Sequence, residues 1–230
     1  MNKNIVIIPT FNEIENITEI ISAVLNLKAT YDILVVDDNS PDGTANRVLE
    51  LAKQYPNRIF LEKRAKKEGL GTAYVHGFYW AINKKYDYIF EMDADFSHNP
   101  KDLTRLLNAC KKGADVAIGS RYVTGVFVLN WPLNRVLLSY FASVYVRFIT
   151  GMNVQDTTAG FICYKREVLE NINLNQIKFV GYAFQIEMKY RAFSKKYKIE
   201  EVPIIFTDRT RGASKMTNGI IKEAVFGVLQ

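Results

Sequence analysis

Three carboxylates occupy every second position where an apolar run of this sequence ends. The stretch IFEMDADFSHNP, residues 89–100, contains Glu91, Asp93 and Asp95. If the chain is extended there, side chains two positions apart project to the same side, which would bring Asp93 and Asp95 together. Like charges at close range raise each other's pKa, so the pair needs a partner. Mg²⁺ or Mn²⁺ suits two carboxylates, whereas an exposed charged turn is the alternative interpretation.

The elements that must position these acids alternate regularly along the chain. Short apolar segments predict five strands, with the sequences NIVIIPT, DILVVDD, RIFLEK, YDYIFEMD and ADVAIGS. The segments between them have helical patterns, at residues 13–27, 44–55, 71–84 and 101–110. This alternation predicts an α/β fold in which helices flank a mostly parallel central sheet. Further along the chain, the segment EEVPIIF predicts another strand, and we expect a last helix from about Lys215.

Polar residues fall where ligands bind in such sheets, just beyond the carboxyl ends of the strands. They follow four of the predicted strands and are Thr10, Asn12, Glu13, Asp37, Asp38, Asp93, Asp95, Ser120 and Arg121. We therefore expect one site at this edge of the sheet. The sequence has neither Gly-x-Gly-x-x-Gly after the first strand nor a phosphate-loop motif, which argues against dinucleotide-binding and P-loop folds.

Two further stretches allow alternative interpretations. In VVDDNSPDGT, residues 35–44, a helix start explains Ser40 and Pro41 but leaves Asp37 and Asp38, which could accept hydrogen bonds from a base or ribose. In KRAKKEGLGTAYVHG, residues 63–77, basic residues precede glycines at a helix start, which could cradle a phosphate. A solvated charge run with a capping glycine explains the second stretch equally well.

Composition narrows the classes of function. The chain has 230 residues, 48% of them hydrophobic, and a net charge of +6, which favours anionic partners. Nucleic acid is disfavoured because the basic residues follow no binding motif and the strand ends are acidic. Cys110 and Cys163 are isolated, so we expect free thiols. Because the sequence shows no signal peptide and no run of about 20 apolar residues, we expect the protein to remain in the cytoplasm.

One segment of the second half is free of acids. Residues 116–155 contain no Asp or Glu, but they contain Arg121, Arg135 and Arg147. The same segment predicts a helix that starts near Pro132, ends by Gly151 and is rich in aromatic residues. An apolar helix bordered by arginines is typical of an interfacial amphipathic helix that lies on a membrane. An ordinary buried helix is the alternative.

Eight motifs occur in an order that resembles a known family. They are IPTFNEIENI, VVDDNSPDGT, GLGTAYVHGF, MDADFSHNP, GSRYV, DTTAGFICYKREVL, GYAFQIEM and DRTRGASKM, and they extend over nearly the whole chain. Together they resemble family 2 glycosyltransferases of the GT-A type, in particular the dolichol-phosphate and polyprenol-phosphate mannose synthases. The resemblance implies inverting transfer of mannose from GDP-mannose to a polyprenyl phosphate, with Mg²⁺ or Mn²⁺ as cofactor. A glucosyl or related transferase that uses a UDP-sugar, and a regulatory binding module without catalysis, are the alternatives.

The resemblance also implies roles for individual residues. The nucleotide sugar would be bound by Pro9, Phe11, Glu13, Val36, Asp38, Asp93, Ala94, Asp95, Arg121, Arg209 and Lys215. The metal would be held by Asp93, Asp95 and Ser97, the acceptor phosphate by Arg121 and Ser214, and catalysis would depend on Asp95 and Arg121. Gln185 and Glu187, two positions apart in GYAFQIEM, would lie near the acceptor, and a helix with one exposed Glu is the alternative. From the acid-free segment itself we expect Arg135 to be the first contact of the lipid phosphate. Two positions depart from the family pattern: Phe11 replaces a tyrosine, and Ser97 stands where many relatives have glutamine.

The implied acceptor simplifies the chemistry that the protein must perform. A phosphate monoester with a second pKa near ~6 is already largely ionised at neutral pH, so no general base is needed. We expect residues 1–230 to form one glycosyltransferase domain, with a donor half at about 1–120 and an acceptor half at about 121–230. Such a protein would act peripherally on the cytoplasmic face of a membrane, and a separate membrane-anchoring subunit is a possible partner.

Overall fold

A computed structural model describes residues 2 to 209, apart from the side chain of Tyr182. Within this range the chain forms an α/β domain around a seven-stranded sheet, with a two-stranded sheet beside it. The strands are β1 Asn4–Thr10, β2 Asp32–Asp37, β3 Ile59–Lys63, β4 Tyr88–Glu91, β5 Val116–Ser120, β6 Val128–Leu129, β7 Ile162–Lys165, β8 Ile199–Pro203 and β9 Phe206–Thr207. The predicted fold class is confirmed.

Helices connect most of the strands of the large sheet. They are α1 Ile14–Leu25, α2 Thr44–Gln54, α3 Leu70–Asn83, α4 Leu103–Lys111, α5 Leu133–Thr150, α6 Arg166–Asn171 and α7 Tyr182–Ser194. Short 3-10 helices at Pro100–Asp102 and Leu174–Gln176 precede α4 and α7. The helix predicted from about Lys215 lies outside the described residues.

The order of the strands decides which loops reach the ligand edge. The large sheet runs β3-β2-β1-β4-β7-β5-β8, and its neighbouring strands are parallel except where β7 pairs with β4 and β5. Because β7 is antiparallel, Ile162 at its beginning pairs with Glu91 at the end of β4. The loop that leads into β7 therefore lies at the same edge as the loops that follow the parallel strands.

The core has one layer on each face of the sheet, because successive side chains of a strand point to opposite faces. Val6 and Ile8 of β1 pack with buried residues of α1, α2 and α4. Ile5 and Ile7 pack with buried residues of α3, α6 and α7. Strands that are apolar on both faces are typical of a sheet covered by helices on both sides.

Three sequence predictions need correction. Strand β4 ends at Glu91, so Asp93 and Asp95 lie in the loop beyond it and not on an extended strand. The segment EEVPIIF was predicted as one strand but forms β8 and β9, since the chain turns at Ile204, whose N–H donates to the Ser120 carbonyl. Strand β7 was missed because its four residues follow a polar loop and carry no alternating pattern.

Candidate active site

The loop after β4 holds the two aspartates in different environments. Asp95 accepts a hydrogen bond from the Ser97 backbone N–H at 3.0 Å and pairs with Arg209 at 2.9 Å. Asp93 accepts a hydrogen bond from the Tyr74 hydroxyl at 3.4 Å, and its own N–H donates to His98 Nδ1 at 3.4 Å. The turn at Phe96, with φ of 61°, reverses the chain between the acids and His98.

The two carboxylates also differ in acidity. Burial and the charge of Asp95 raise the pKa of Asp93 above its ordinary value. Burial would raise the pKa of Asp95 as well, but hydrogen bonding from Ser97 and the charge of Arg209 outweigh it and lower this pKa. The side chain of Asp93 still exposes 36% of its surface, so a ligand can reach it from the ligand edge of the sheet. We call this edge, which the loops after β1, β2, β4 and β5 border, the cleft. Asp95 is thus the carboxylate that is reliably charged, and Asp93 gains from any cation placed beside it.

The carboxylates of the acidic loop fit a divalent cation that takes some of its ligands from the protein and the others from a substrate. Among residues 2 to 209, no group of three or more His, Cys, Asp and Glu side chains could hold a metal. Two carboxylates remain, and Mg²⁺ is commonly bound by one or two carboxylates together with phosphate oxygens and water. Asp93 and Asp95 could supply that part. Ser97 is buried next to them, and its role as a third ligand stays a prediction.

The residues that the resemblance assigns to the nucleotide lie at the ends of β1 and β2. Pro9 and Val36 are partners in the register of these strands. Asp38, which follows β2, is bound in a bidentate ion pair by Arg64, with Nε and Nη2 at 2.6 and 2.8 Å from its oxygens. The Arg64 Nη1 also donates to Thr72 Oγ1 at 2.7 Å. Arg64 therefore fixes Asp38 and ties the loop before α3 to this side of the cleft.

Two other expectations about this side of the cleft have different outcomes. Asp37 is not available to a base or ribose in the way we expected, because it accepts hydrogen bonds from Thr10 Oγ1 at 2.9 Å and from Ser40 Oγ at 2.6 Å. Phe11 directly follows β1 and is half-buried, with Lys67 Nζ 4.7 Å from its ring centroid. Glu13 is buried, and its carboxylate accepts a hydrogen bond from Asn16 Nδ2 at 3.1 Å.

Arg121, which follows β5, is held by a buried acid that we had not assigned. Asp156 accepts hydrogen bonds from Arg121 Nε at 2.7 Å, from Nη2 at 2.6 Å and from the backbone N–H at 2.9 Å. Burial opposes the charge of Asp156, but Arg121 and its hydrogen bonds lower the pKa of Asp156 below its ordinary value. Glu201 of β8 fixes the loop by accepting from the Asp156 N–H at 2.9 Å.

Residues 208 and 209 join the two ends of the cleft. Asp208 pairs with Arg135 at 3.0 Å, and the adjacent Arg209 pairs with Asp95. Both residues follow β9, whose Thr207 N–H donates to the Ser97 carbonyl at 3.3 Å. Strand β9 thus connects the acidic loop after β4 to the arginine-rich end of the cleft, by which we mean Arg121 and Arg135.

Two residues of α7 that we expect near the acceptor have partners within the fold. Gln185 is buried and donates a hydrogen bond to Glu91 below the acidic loop. Glu187 pairs with Arg191 at 2.6 Å and accepts from the Lys178 N–H at 2.9 Å. Both side chains thus have partners within the fold, and a contact of either with the acceptor stays a prediction.

The structure brings most of the predicted site residues to one edge of the sheet. Ala94 is buried between the two aspartates in sequence, and Arg209 reaches Asp95. Lys215 and Ser214 lie outside the described residues. The residues that sequence reasoning missed are Arg64, Trp131, Asp156 and Asp208. Asp156 and Arg64 did stand in quoted motifs, DTTAGF and KRAKKEGLG, but neither motif reveals an ion-pair partner.

Solved structures define the class of fold to which this geometry belongs. Glucosyl-3-phosphoglycerate synthase from Mycobacterium tuberculosis, in complex with Mn²⁺, UDP and glucosyl-3-phosphoglycerate, superposes with a TM-score of 0.71 at 18% identity. The match covers 99% of this chain and 78% of that one. The fold is therefore shared with a GT-A glycosyltransferase.

Sequence comparison then gives the family. The model of glycosyl transferase family 2 matches residues 5–172, and the chain belongs to this family. Polyprenol monophosphomannose synthase of Mycolicibacterium smegmatis is 48% identical over 99% of this chain and 86% of its own length. Undecaprenyl-phosphate mannosyltransferase of Micrococcus luteus is 43% identical over 96% of this chain and 90% of its own length.

Proposed function

We propose that this chain transfers mannose from GDP-mannose to the phosphate of a polyprenyl lipid, with inversion at the anomeric carbon. The names of two relatives above 40% identity support the sugar and the acceptor class. The observation that carries the proposal is the link between the two ends of the cleft. Arg209 contacts the acidic loop while its neighbour Asp208 contacts Arg135, so donor and acceptor phosphates would meet along one short strand.

The donor would bind across the ends of β1, β2 and β4. Phe11 offers a ring to the base, and Arg64 holds Asp38 so that its carboxylate keeps one orientation toward the nucleoside. Asp93 and Asp95 would hold a divalent cation beside the diphosphate, with Arg209 as an additional positive charge. When bound, such a cation supplies positive charge that stabilises the leaving diphosphate.

The acceptor would use the arginine-rich end of the cleft. A phosphate oxygen of the lipid forms a bond to the anomeric carbon as the bond between this carbon and the GDP oxygen breaks. The products are a mannosyl phosphate lipid and GDP, and the reaction needs no general base because the acceptor is already ionised. Arg135 and Arg121 would offset the repulsion between the two phosphate groups.

The surface of α5 supports a peripheral contact with a membrane. Within residues 2 to 209, no helix is both long enough and apolar enough to cross a bilayer. Helix α5 nevertheless buries only Ser143 and Val146, and it exposes Leu133, Leu137, Leu138, Tyr140, Phe141, Phe148 and Ile149. Apolar side chains on one exposed helix with flanking arginines suit the interface of an anionic bilayer. The cytoplasmic face and a separate anchoring subunit stay predictions.

Vesicle binding tests this role of α5. Phe141→Ser combined with Phe148→Ser removes two rings that are 60% and 90% exposed, so we expect at least a severalfold loss of co-sedimentation with anionic vesicles. Leu49→Ser, on the exposed face of α2, is the matched control and should leave binding unchanged. Equal binding by wild type and double variant would show that α5 is not the membrane contact.

A transfer assay tests the proposed function itself. Wild-type protein with undecaprenyl phosphate should give a mannosylated lipid from GDP-mannose, at least about tenfold faster than a glucosylated lipid from UDP-glucose. EDTA should abolish the reaction. A preference for UDP-glucose would favour the second candidate, a glucosyltransferase, which the UDP-bound structural neighbour brings into consideration. Absence of transfer from both donors would favour a binding module.

A further inference from the structure

Trp131 stands between the two arginines that the proposed function assigns to the acceptor. It lies in the short connection between β6 and α5. The Cζ atoms of Arg135 and Arg121 are 4.0 Å and 5.4 Å from its ring centroid. Phe206 of β9 meets the same ring edge to face, with the centroids 5.2 Å apart. One indole ring therefore contacts both guanidinium groups.

The two arginines approach this ring from separate elements, each with its own carboxylate. Arg121 comes from the end of β5 and is paired with Asp156, whereas Arg135 comes from the first turn of α5 and is paired with Asp208. Guanidinium groups bind favourably against the face of an indole ring. The ring thus provides a common support that fixes the position of one arginine relative to the other.

The indole N–H of Trp131 is a buried donor without an acceptor in the part of the chain that the structure describes. Buried donors without an acceptor are rare in folded proteins. Indole is a donor only, and the two neighbouring guanidinium groups are also donors only. Each guanidinium group already has a carboxylate partner, so among the described residues the indole N–H is the donor that lacks an acceptor. A ligand that accepts from this N–H beside two guanidinium groups would bring acceptor oxygens and negative charge, as a phosphate monoester does.

We infer that Trp131 is a further acceptor-phosphate residue of this enzyme. Its ring fixes the positions of Arg121 and Arg135 relative to each other, and its N–H donates to an oxygen of the acceptor phosphate. This inference rests on the proposed function, because it requires that the two arginines face a phosphate acceptor. An indole N–H beside two guanidinium groups favours an ionised phosphate over the corresponding alcohol, because the alcohol brings neither the negative charge nor the same number of acceptor oxygens.

Two substitutions separate the roles of the ring and the N–H. Trp131→Phe keeps an aromatic face but removes the donor, so the KM for undecaprenyl phosphate should rise about tenfold. Trp131→Leu removes both, so this KM should rise about a hundredfold. The KM for GDP-mannose should stay within about twofold of wild type in both variants, because a general loss of structure would affect donor and acceptor alike.

Trp80→Phe is the matched control, since Trp80 packs against Phe60 and Tyr86 on the other side of the molecule from this cluster. The KM for undecaprenyl phosphate and the KM for GDP-mannose should both remain at the wild-type level in this variant. Because the chain has two tryptophans, Trp80→Phe also leaves Trp131 as the sole indole fluorophore. Farnesyl phosphate, a short water-soluble probe, should then change its emission saturably, while farnesol should not.

The kinetic experiment and the fluorescence experiment together distinguish failure of this inference from failure of the proposed function. If wild type transfers mannose but Trp131→Phe and Trp131→Leu keep the wild-type KM for the lipid, the inference is wrong and the function stands. If wild type fails to transfer mannose, the proposed function is wrong, and the emission of Trp131 still decides whether it binds a phosphate. Equal emission changes with farnesyl phosphate and farnesol would overturn the inference in either case.

Discussion

Asp95→Asn is expected to abolish mannose transfer, with a loss on the order of a thousandfold in kcat/KM. The amide keeps an oxygen that can accept the hydrogen bond from the Ser97 N–H, so the loop should retain its shape. It loses the negative charge that pairs with Arg209 and that a divalent cation would require. Steady-state assays with GDP-mannose and undecaprenyl phosphate measure the loss.

Asp87→Asn is the matched control for this experiment. Asp87 immediately precedes β4, at the opposite end of the strand from Asp95, and it accepts a hydrogen bond from the Lys3 N–H at 2.8 Å. Transfer should stay within about twofold of wild type in this variant. If Asp95→Asn kept a tenth or more of the wild-type rate, the acidic loop would not be the centre of catalysis.

The second large effect is expected on stability. Asp156→Ala leaves Arg121 as a buried cation without its carboxylate, which should cost about 3 to 5 kcal/mol of unfolding free energy. Urea unfolding measures this loss directly. Because the folded-state pKa of Asp156 is lowered, its stabilising contribution is complete above the ordinary pKa of an aspartate and is lost as the pH falls toward the folded-state pKa.

Two comparisons make this prediction specific. Asp102→Ala breaks a partly exposed pair with Arg105 and should cost less than about 1 kcal/mol. Asp156→Ala combined with Arg121→Met removes both charges, so it should recover part of the unfolding free energy that Asp156→Ala loses. Mannose transfer should be absent in this double variant, because it lacks Arg121. Equal losses in Asp156→Ala and Asp102→Ala would mean that the buried pair has no special weight.

The acidic loop could be predicted because its signals are local. Strands β1, β2, β4 and β5 are continuous apolar runs, and the polar residues that follow them meet at one edge in any parallel sheet. Even there the prediction of an extended pair was wrong, since β4 ends at Glu91. A strand end depends on pairing with β1 and β7, which the residues 92–95 do not reveal.

The partners of the predicted arginines could not be found in the same way. Asp156 lies 35 residues beyond Arg121 in the chain and reaches it only because the loop that carries Asp156 leads into the antiparallel strand β7. Asp208 follows β9 and meets Arg135, 73 residues before it, because β9 pairs with β6 shortly before α5 begins. These contacts depend on tertiary placement of short elements, for which neither periodicity nor composition gives a signal.

The predicted division into a donor half and an acceptor half stays a prediction. Both parts contribute strands to the same seven-stranded sheet, since β7 and β8 lie beyond residue 120. The proposed acceptor residues accordingly belong to the loops and α5 beside that sheet, and Arg209 returns from the second part to the acidic loop. If donor and acceptor are bound by separate parts of the protein, those parts are therefore different loops around one shared sheet.

Calorimetric titration of GDP with and without Mn²⁺ tests most directly whether the acidic loop holds a cation that binds the diphosphate. Our account predicts that Mn²⁺ raises the affinity of wild type for GDP by about tenfold or more, and that GDP raises the affinity for Mn²⁺ by the same factor. Asp95→Asn should lose this coupling. Equal GDP affinity in Mn²⁺ and in EDTA, for wild type as for the variant, would contradict the account.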